Sequence, residues 1–157
     1  MNKTPEELTE TASNLAVSIL RSLGFECSIA SSWDGEEISL MISSPDSGFI
    51  IGDNGSRLDD LQYILNRLIV LQAEDAPRIR VDCDRYRERA EAKIVNNARA
   101  KAEKVLATGR PFTVGPMNAY HRRLVHSALA DMPGIRTVSE EVDSRFKRIT
   151  ICRAEEA

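Results

Sequence analysis

The stretch from Gly48 to Leu68, GFIIGDNGSRLDDLQYILNRL, constrains the fold of this 157-residue chain most strongly. An apolar step leads into a short loop bounded by Gly52 and Gly55, and a helix with regularly spaced leucines follows. Two glycines at this spacing let the backbone turn sharply with positive φ and expose its N–H groups. The next helix adds its free N–H groups and positive dipole end. Such a loop suits a sugar-phosphate backbone, although a packing turn without a ligand predicts the same pattern.

The bulk composition is that of a globular protein. Hydrophobic residues make up 42% of the chain and charged residues 29%, which excludes a disordered or membrane-spanning class. The acidic, polar N-terminus predicts no signal peptide, and no apolar run approaches the roughly 20 residues of a membrane helix. The three cysteines lie too far apart for a disulfide framework or a zinc site. We therefore expect a cytoplasmic protein with no metal site, no cofactor and no membrane insertion.

Charge is distributed unevenly along the chain. Residues 1–83 hold 6 Lys and Arg against 14 Asp and Glu, a net charge of −8. Residues 84–157 hold 15 against 10, a net charge of +5. Because such asymmetry indicates separate roles, the second part is the better candidate for contacting phosphate.

Periodicity and turn signals before residue 84 predict helix, strand, strand, helix, glycine loop, helix and strand. The first helix is predicted to begin at Thr4, with Glu7 completing a capping box. Asp34-Gly35 predicts a two-residue hairpin turn that places Ile29 opposite Leu40. The remainder of the chain predicts a long helix capped by Asp84, an extended segment, and a helix following Pro116-Met117-Asn118. A final hairpin about Asp143-Ser144 would place Val138 opposite Ile149 and Glu140 opposite Lys147.

Residues 116–126, PMNAYHRRLVH, form a second candidate site. Arg122 and His126 are four residues apart and lie on one side of the predicted helix, with Arg123 further out. Arginine offers a planar fork to two phosphate oxygens, and histidine donates a further hydrogen bond. The pair therefore indicates a phosphate clasp. The spacing also fits a structural role, in which Arg122 pairs with a local carboxylate and His126 caps the edge of the core.

Both motifs resemble known nucleic-acid-binding modules. The glycine loop and the element order of residues 1–83 resemble a type II KH domain, whose GXXG loop clamps about four nucleotides. Arg122 and His126 match the RxxxH signature of the R-3-H domain. A KH-like unit followed directly by an RxxxH unit resembles the bacterial Jag family, also called SpoIIIJ-associated proteins, over nearly the whole chain.

The resemblance implies an α+β fold with two domains. Residues 1–83 would form a type II KH-like domain, with a three-stranded sheet and helices on one face. Residues 84–157 would form a small α+β R-3-H domain. The implied function is non-catalytic binding of single-stranded RNA, with single-stranded DNA as a second ligand. The implied binding residues are Gly52, Asp53, Asn54, Gly55, Ser56 and Arg57 in the first domain, and Arg122, Arg123 and His126 in the second.

Three features depart from the family pattern. The sequence opens directly on the KH-like unit, so we expect no role tied to an added N-terminal domain. Position 121 is His, where an acidic residue is expected. The loop carries Asp53-Asn54, where active KH loops often carry Lys or Arg. At an effective dielectric of about 20 and a separation of roughly 4–5 Å, a carboxylate beside a phosphate is repelled by about 3–4 kcal/mol before screening.

Two other functional classes fit parts of the sequence. The acidic KH-like unit suits an adaptor that docks a protein, such as another KH protein, and leaves nucleic acid to the RxxxH unit. Asp53, Asp59 and Asp60 would suit an enzyme with paired carboxylates. The enzyme is the weaker hypothesis, because the sequence has no HExxH motif, P-loop or cluster of metal ligands.

Overall fold

The computed structural model describes residues 3–155, and the chain divides into two compact units, Met1–Arg87 and Glu88–Ala157. Each unit contains one three-stranded sheet and the helices packed on it. This confirms the predicted α+β class. Across residues 3–155, no helix combines the length and the apolar character that crossing a membrane requires.

The first unit follows the predicted order of elements. Its helices are α1 (Pro5–Ser22), α2 (Ser47–Ile51) and α3 (Ser56–Val70), and its strands are β1 (Ser28–Trp33), β2 (Glu37–Ser43) and β3 (Arg78–Cys83). The sheet order is β1-β2-β3, with β1 antiparallel and β3 parallel to the central β2. Thr4 and Glu7 form the predicted capping box at the start of α1. Parallel strands need a long crossover connection. Between β2 and β3, α2, the glycine loop and α3 form that connection.

The core of the first unit fixes α3, the helix that begins at the glycine loop. Its buried residues come from both the helices and the sheet, and those of α3 are Leu58, Leu61, Leu65 and Ile69. Each buried leucine or isoleucine stabilises the fold by about 1.5–3 kcal/mol. Asn66 on α3 also bonds both backbone groups of Ile79, at 2.8 and 2.9 Å. The loop therefore projects from a helix held along its whole length.

The predicted register of the first hairpin is wrong by two residues. Ile29 pairs with Ile42, and Leu40 pairs with Ser31. The turn forms one position later, because Asp34 Oδ1 accepts hydrogen bonds from the N–H groups of Glu36 and Glu37 at 2.9 and 2.8 Å. These bonds also lower the pKa of Asp34. Since a shift of two residues leaves every side chain on the same face, hydrophobic alternation does not distinguish the two registers.

The second unit is built from most of α4 (Tyr86–Thr108) and from β4 (Phe112–Met117), α5 (Ala119–Leu129), β5 (Ile135–Ser139) and β6 (Lys147–Arg153). Its sheet is antiparallel throughout, in the order β4-β6-β5. The core joins α4 and α5 to the central strand through Ala98, Ala102, Val105, Val125, Leu129, Ile149 and Ile151. The sheet therefore packs one face on these two helices.

The predicted cap of α4 is wrong. Asp84 does not start the helix, since its backbone is left-handed, with φ of 49°. Asp82, at the end of β3, takes the capping role, and its Oδ1 accepts a hydrogen bond from the Arg87 N–H at 3.1 Å. The left-handed backbone of Asp84 therefore leaves the capping bond to the aspartate two positions earlier.

The predicted register of the second hairpin is wrong by one residue. Val138 pairs with Thr150 and is 45% exposed, whereas Ile149 pairs with Ser139 and is buried. A one-residue shift moves every side chain to the opposite face. In place of a two-residue turn, β5 ends at Ser139 and a longer loop, residues 140–146, connects it to β6. Two small polar residues of β5, Thr137 and Ser139, consequently share a face with the buried Ile149 and Ile151.

Candidate nucleic-acid interface

The glycine loop has the backbone that the sequence predicts. Gly52 and Gly55 adopt φ of +70° and +79°. A Cβ atom at Gly52 would lie 2.7 Å from Cγ of Arg57, and one at Gly55 would lie 2.9 Å from Cε1 of Tyr86. Both distances are shorter than a van der Waals contact. The loop therefore requires glycine at these two positions for its backbone conformation and for its close packing.

The exposed groups of the loop are mainly side chains. The N–H groups of Gly52, Gly55 and Ser56 bond inside the loop region, to the carbonyls of Gly48, Gly52 and Asp53. Asp53 and Asn54 are exposed, and Asn54 adopts a left-handed backbone with φ of 50°. A ligand that approaches the tip of the loop therefore meets the Asp53 carboxylate and the Asn54 carboxamide.

Ser56 and Arg57 open α3 and are both exposed. The Arg57 side chain lies across Gly52, and its Nη1 donates a hydrogen bond to the Phe49 carbonyl at 2.9 Å. The Phe49 ring, on the preceding helix, is 64% exposed. The Arg57 cation is thus held at the loop by the backbone of a residue whose ring is accessible.

One of the three carboxylates that suggested an enzyme is engaged in an ion pair. Asp59 forms an ion pair with Arg87, with 2.8 Å between Oδ1 and Nη1. Arg87 also donates from Nε to the Val81 carbonyl at 2.8 Å, so this ion pair joins α3 to β3. Among residues 3–155, no group of His, Cys, Asp and Glu side chains has the geometry of a metal site.

Arg122 lies in the first turns of α5, whose N-terminus is capped by Asn118. Its Nη1 donates to the Met117 carbonyl at 2.8 Å and, more weakly, to the Arg145 carbonyl at 3.5 Å. These bonds connect the end of β4 with the loop that precedes β6. The partners are backbone carbonyls rather than the carboxylate that the structural alternative predicts. Since both bonds use Nη1, they leave the N–H groups of Nη2 and Nε for other acceptors.

His126 is held between two hydroxyl groups of β5. Its Nδ1 faces Thr137 Oγ1, and its Nε2 lies 3.0 Å from Ser139 Oγ. A hydroxyl group can donate or accept, so it can match either imidazole nitrogen. His126 and Arg122 therefore make their hydrogen bonds to different elements. Sequence reasoning missed Thr137 and Ser139, and the available signal was the alternate placement of these two hydroxyl residues along β5, IRTVS.

Two exposed phenylalanines of the second unit carry a cation over the ring. Lys101 Nζ lies 4.7 Å from the ring centroid of Phe112, and the Arg145 guanidinium lies 5.7 Å from that of Phe146. The rings are 41% and 53% exposed. Arg123, the third predicted residue of this unit, is exposed on α5. The sequence did not indicate the Lys101–Phe112 pair, because Lys101 lies on α4 and Phe112 on β4.

Comparisons with known proteins identify the domain that forms the second unit. Residues 92–153 match the R-3-H domain model. The chain is similar to the protein named RNA-binding protein KhpB from Clostridium symbiosum, with 32% identity over 74% of this chain and 52% of that protein. The KhpB proteins of Lactiplantibacillus plantarum and Streptococcus pneumoniae are 26% and 24% identical over 81% and 78% of this chain, and 39% and 37% of their own lengths.

The chain thus spans about half the length of the first of these relatives and less of the other two. The R-3-H match covers α4 from its second turn, α5 and all three strands of the second unit. It therefore includes Arg122, Arg123 and His126. The chain contains an R-3-H domain, and its similarity to these KhpB proteins supports the resemblance to the Jag family that its two motifs predicted.

Proposed function

We propose that this protein binds single-stranded RNA without catalysing a reaction on it, and that the R-3-H unit supplies most of the affinity. The observation that carries the proposal is the pairing of exposed phenylalanine rings with cations, at Lys101–Phe112 and Arg145–Phe146. Single strands bind to surfaces on which bases stack against aromatic rings and cations neutralise the phosphates. The name shared by the relatives, RNA-binding protein, supports the same ligand.

The charge of the two units supports this division of labour. Residues 88–157 hold 13 Lys and Arg against 9 Asp and Glu, a net charge of +4. Residues 1–87 hold 8 against 15, a net charge of −7. Because phosphate contacts dominate the affinity for nucleic acid, the positively charged unit contributes more of it.

Within the R-3-H unit, we assign different roles to the arginines and the histidine. Arg122 holds the loop that carries Arg145 and Phe146, and its remaining N–H groups bind phosphate. Arg123 is exposed and binds phosphate directly. His126 acts through β5, because both ring nitrogens already face hydroxyl groups. Of these residues, His126 is thus a positioning residue, and the arginines contact the ligand.

The first unit is, in this proposal, a type II KH domain whose glycine loop follows the RNA backbone. Gly52 and Gly55 give the loop its shape, Asn54 and Ser56 offer hydrogen bonds, and Arg57 offers a charge. Asp53 opposes a phosphate at the loop tip and weakens this contact.

A second candidate function, docking of a protein by the first unit, is favoured by a specific observation. Several large apolar side chains of this unit are exposed, among them Phe49 at 64%, Tyr63 at 67% and Leu71 at 79%. In a negatively charged unit, such residues suit a protein surface better than they suit a phosphate backbone. In that case only the R-3-H unit would bind RNA.

Replacing Arg123 with alanine tests the proposed contact with phosphate. We expect weaker RNA binding and a salt dependence reduced by about 0.7, because each neutralised phosphate on a single strand releases about that number of counterions. The measurement is the dissociation constant of a single-stranded RNA over a series of salt concentrations. Arg21→Ala, which removes the same charge from exposed α1, should leave the slope unchanged. An unchanged slope for Arg123→Ala would remove Arg123 from the site.

A further inference from the structure

A small pocket lies among α4, β4 and α5 of the R-3-H unit. Its volume is about 130 Å³, and it opens to solvent. The apolar part of its lining includes Ile94, Ala98, Met117 and Val125, and the polar part includes Asn97 and Lys101. An apolar cavity of about 150 Å³ accommodates one benzene molecule, so this pocket has room for one six-membered ring.

We propose that this pocket binds a single pyrimidine base of the RNA, an inference that rests on the proposed RNA-binding function. Uracil and cytosine each have one six-membered ring, which the apolar walls can enclose. A purine has two fused rings and exceeds the volume. The pocket therefore selects bases by size, and the sugar and phosphate stay outside its open mouth.

Asn97 supplies the polar recognition of the base. It lies on the exposed side of α4, and its carboxamide makes no hydrogen bond to any residue between 3 and 155. A carboxamide has an acceptor oxygen and a donor NH₂ group, which together can pair with one edge of a base. Rotating the amide exchanges donor and acceptor, so Asn97 can match either uracil or cytosine.

The surroundings of the pocket fit the rest of a nucleotide. Lys101 lines the pocket and places its ammonium group 4.7 Å from the Phe112 ring centroid, which leaves a cation for the phosphate and a ring for the adjacent base. Arg122 donates to the Met117 carbonyl at 2.8 Å and so holds one wall of the pocket. Met117, which lines the pocket, is thus bonded directly to the proposed phosphate-binding arginine of α5.

The test measures affinities of the whole chain for unstructured oligo(U), oligo(C) and oligo(A) of about ten nucleotides, a length within the range that single-strand binders cover. We expect oligo(U) and oligo(C) to bind about 5- to 20-fold more tightly than oligo(A). Asn97→Ala should reduce this preference to about 2-fold or less, because the edge contact supplies most of the affinity that a pyrimidine gains on entering the pocket, whereas a purine stays outside it in both forms. The matched control is Asn96→Ala, which changes the neighbouring exposed asparagine outside the pocket lining and should keep the preference.

A second measurement separates this inference from the proposed function. Uridine 5′-monophosphate should shift the NMR signals of the Ile94, Met117 and Val125 methyl groups, and adenosine 5′-monophosphate should not. Equal binding of all three oligonucleotides, or a preference that survives Asn97→Ala, would overturn the pocket assignment while RNA binding stands. If the chain binds none of the oligonucleotides, the proposed function fails and the pocket assignment fails with it.

Discussion

Replacing His126 with alanine should lower the free energy of unfolding of the R-3-H unit by about 2–3 kcal/mol. The change removes both hydrogen bonds to β5, each worth about 0.5–1.5 kcal/mol, and leaves Thr137 and Ser139 without their partner. In a domain of this size the melting temperature should fall by about 10 °C. Chemical and thermal denaturation of the whole chain, followed by far-UV circular dichroism, measures both quantities.

The control for this variant is the other histidine of the chain. His121 donates its backbone N–H to Asn118 Oδ1, a bond that His121→Ala keeps. Its side chain makes a tilted ring contact with Tyr120, and its loss should change stability by no more than about 0.5 kcal/mol. If His126→Ala leaves stability unchanged and weakens RNA binding alone, His126 contacts the ligand directly and its assignment as a positioning residue is wrong.

Replacing Asp53 with lysine should tighten RNA binding about 3- to 20-fold. The variant exchanges a repulsive charge for an attractive one at the exposed tip of the glycine loop. An exposed charge contact is worth about 0.2–1 kcal/mol, and removing the repulsion roughly doubles that, at tenfold in affinity per 1.4 kcal/mol. Stability should barely change, since the side chain is exposed. Binding titrations at fixed salt provide the measurement.

Asp60→Lys is the matched control for the loop variant. It makes the same change of charge on an exposed residue of α3, beyond the loop. A gain confined to Asp53→Lys places RNA at the glycine loop. Equal small gains for both variants reflect net charge alone. Unchanged RNA affinity for Asp53→Lys favours the second candidate function, in which the first unit docks a protein.

Local signals predicted most of the fold. The capping box of Thr4 and Glu7, the positive φ of Gly52 and Gly55, and the order of elements in the first unit all depend on residues near one another in sequence. These features follow from backbone sterics and from periodicity, which one sequence displays.

Pairing across the sheets was harder to predict. The observed register of the first hairpin differs from the predicted one by two residues, because the Asp34 carboxylate holds the turn one position later. Both registers bury the same face of the strands. The register of the second hairpin differs from the predicted one by one residue, because Thr137 and Ser139 face inward and bond His126. An inward-facing polar residue is explained only by its tertiary partner, so hydrophobic alternation favoured the wrong face.

The candidate site likewise has residues that the sequence predicted and contacts that it did not. Its residues on a single motif, such as Arg122 and Arg123, were visible in the sequence. Their bonding was not, since Arg122 reaches carbonyl groups on two other elements. The pocket and the Lys101–Phe112 pair likewise arise from packing between different elements.

The most direct test of the central claim compares two forms of one RNA. The whole chain is titrated at physiological salt against an unstructured strand of about ten nucleotides and against the same strand in a duplex. Stacking on an aromatic ring is worth about 1–3 kcal/mol per unpaired base, so we predict binding to the single strand about tenfold tighter or more. Equal affinity for the two forms, or no binding to either, would contradict the account.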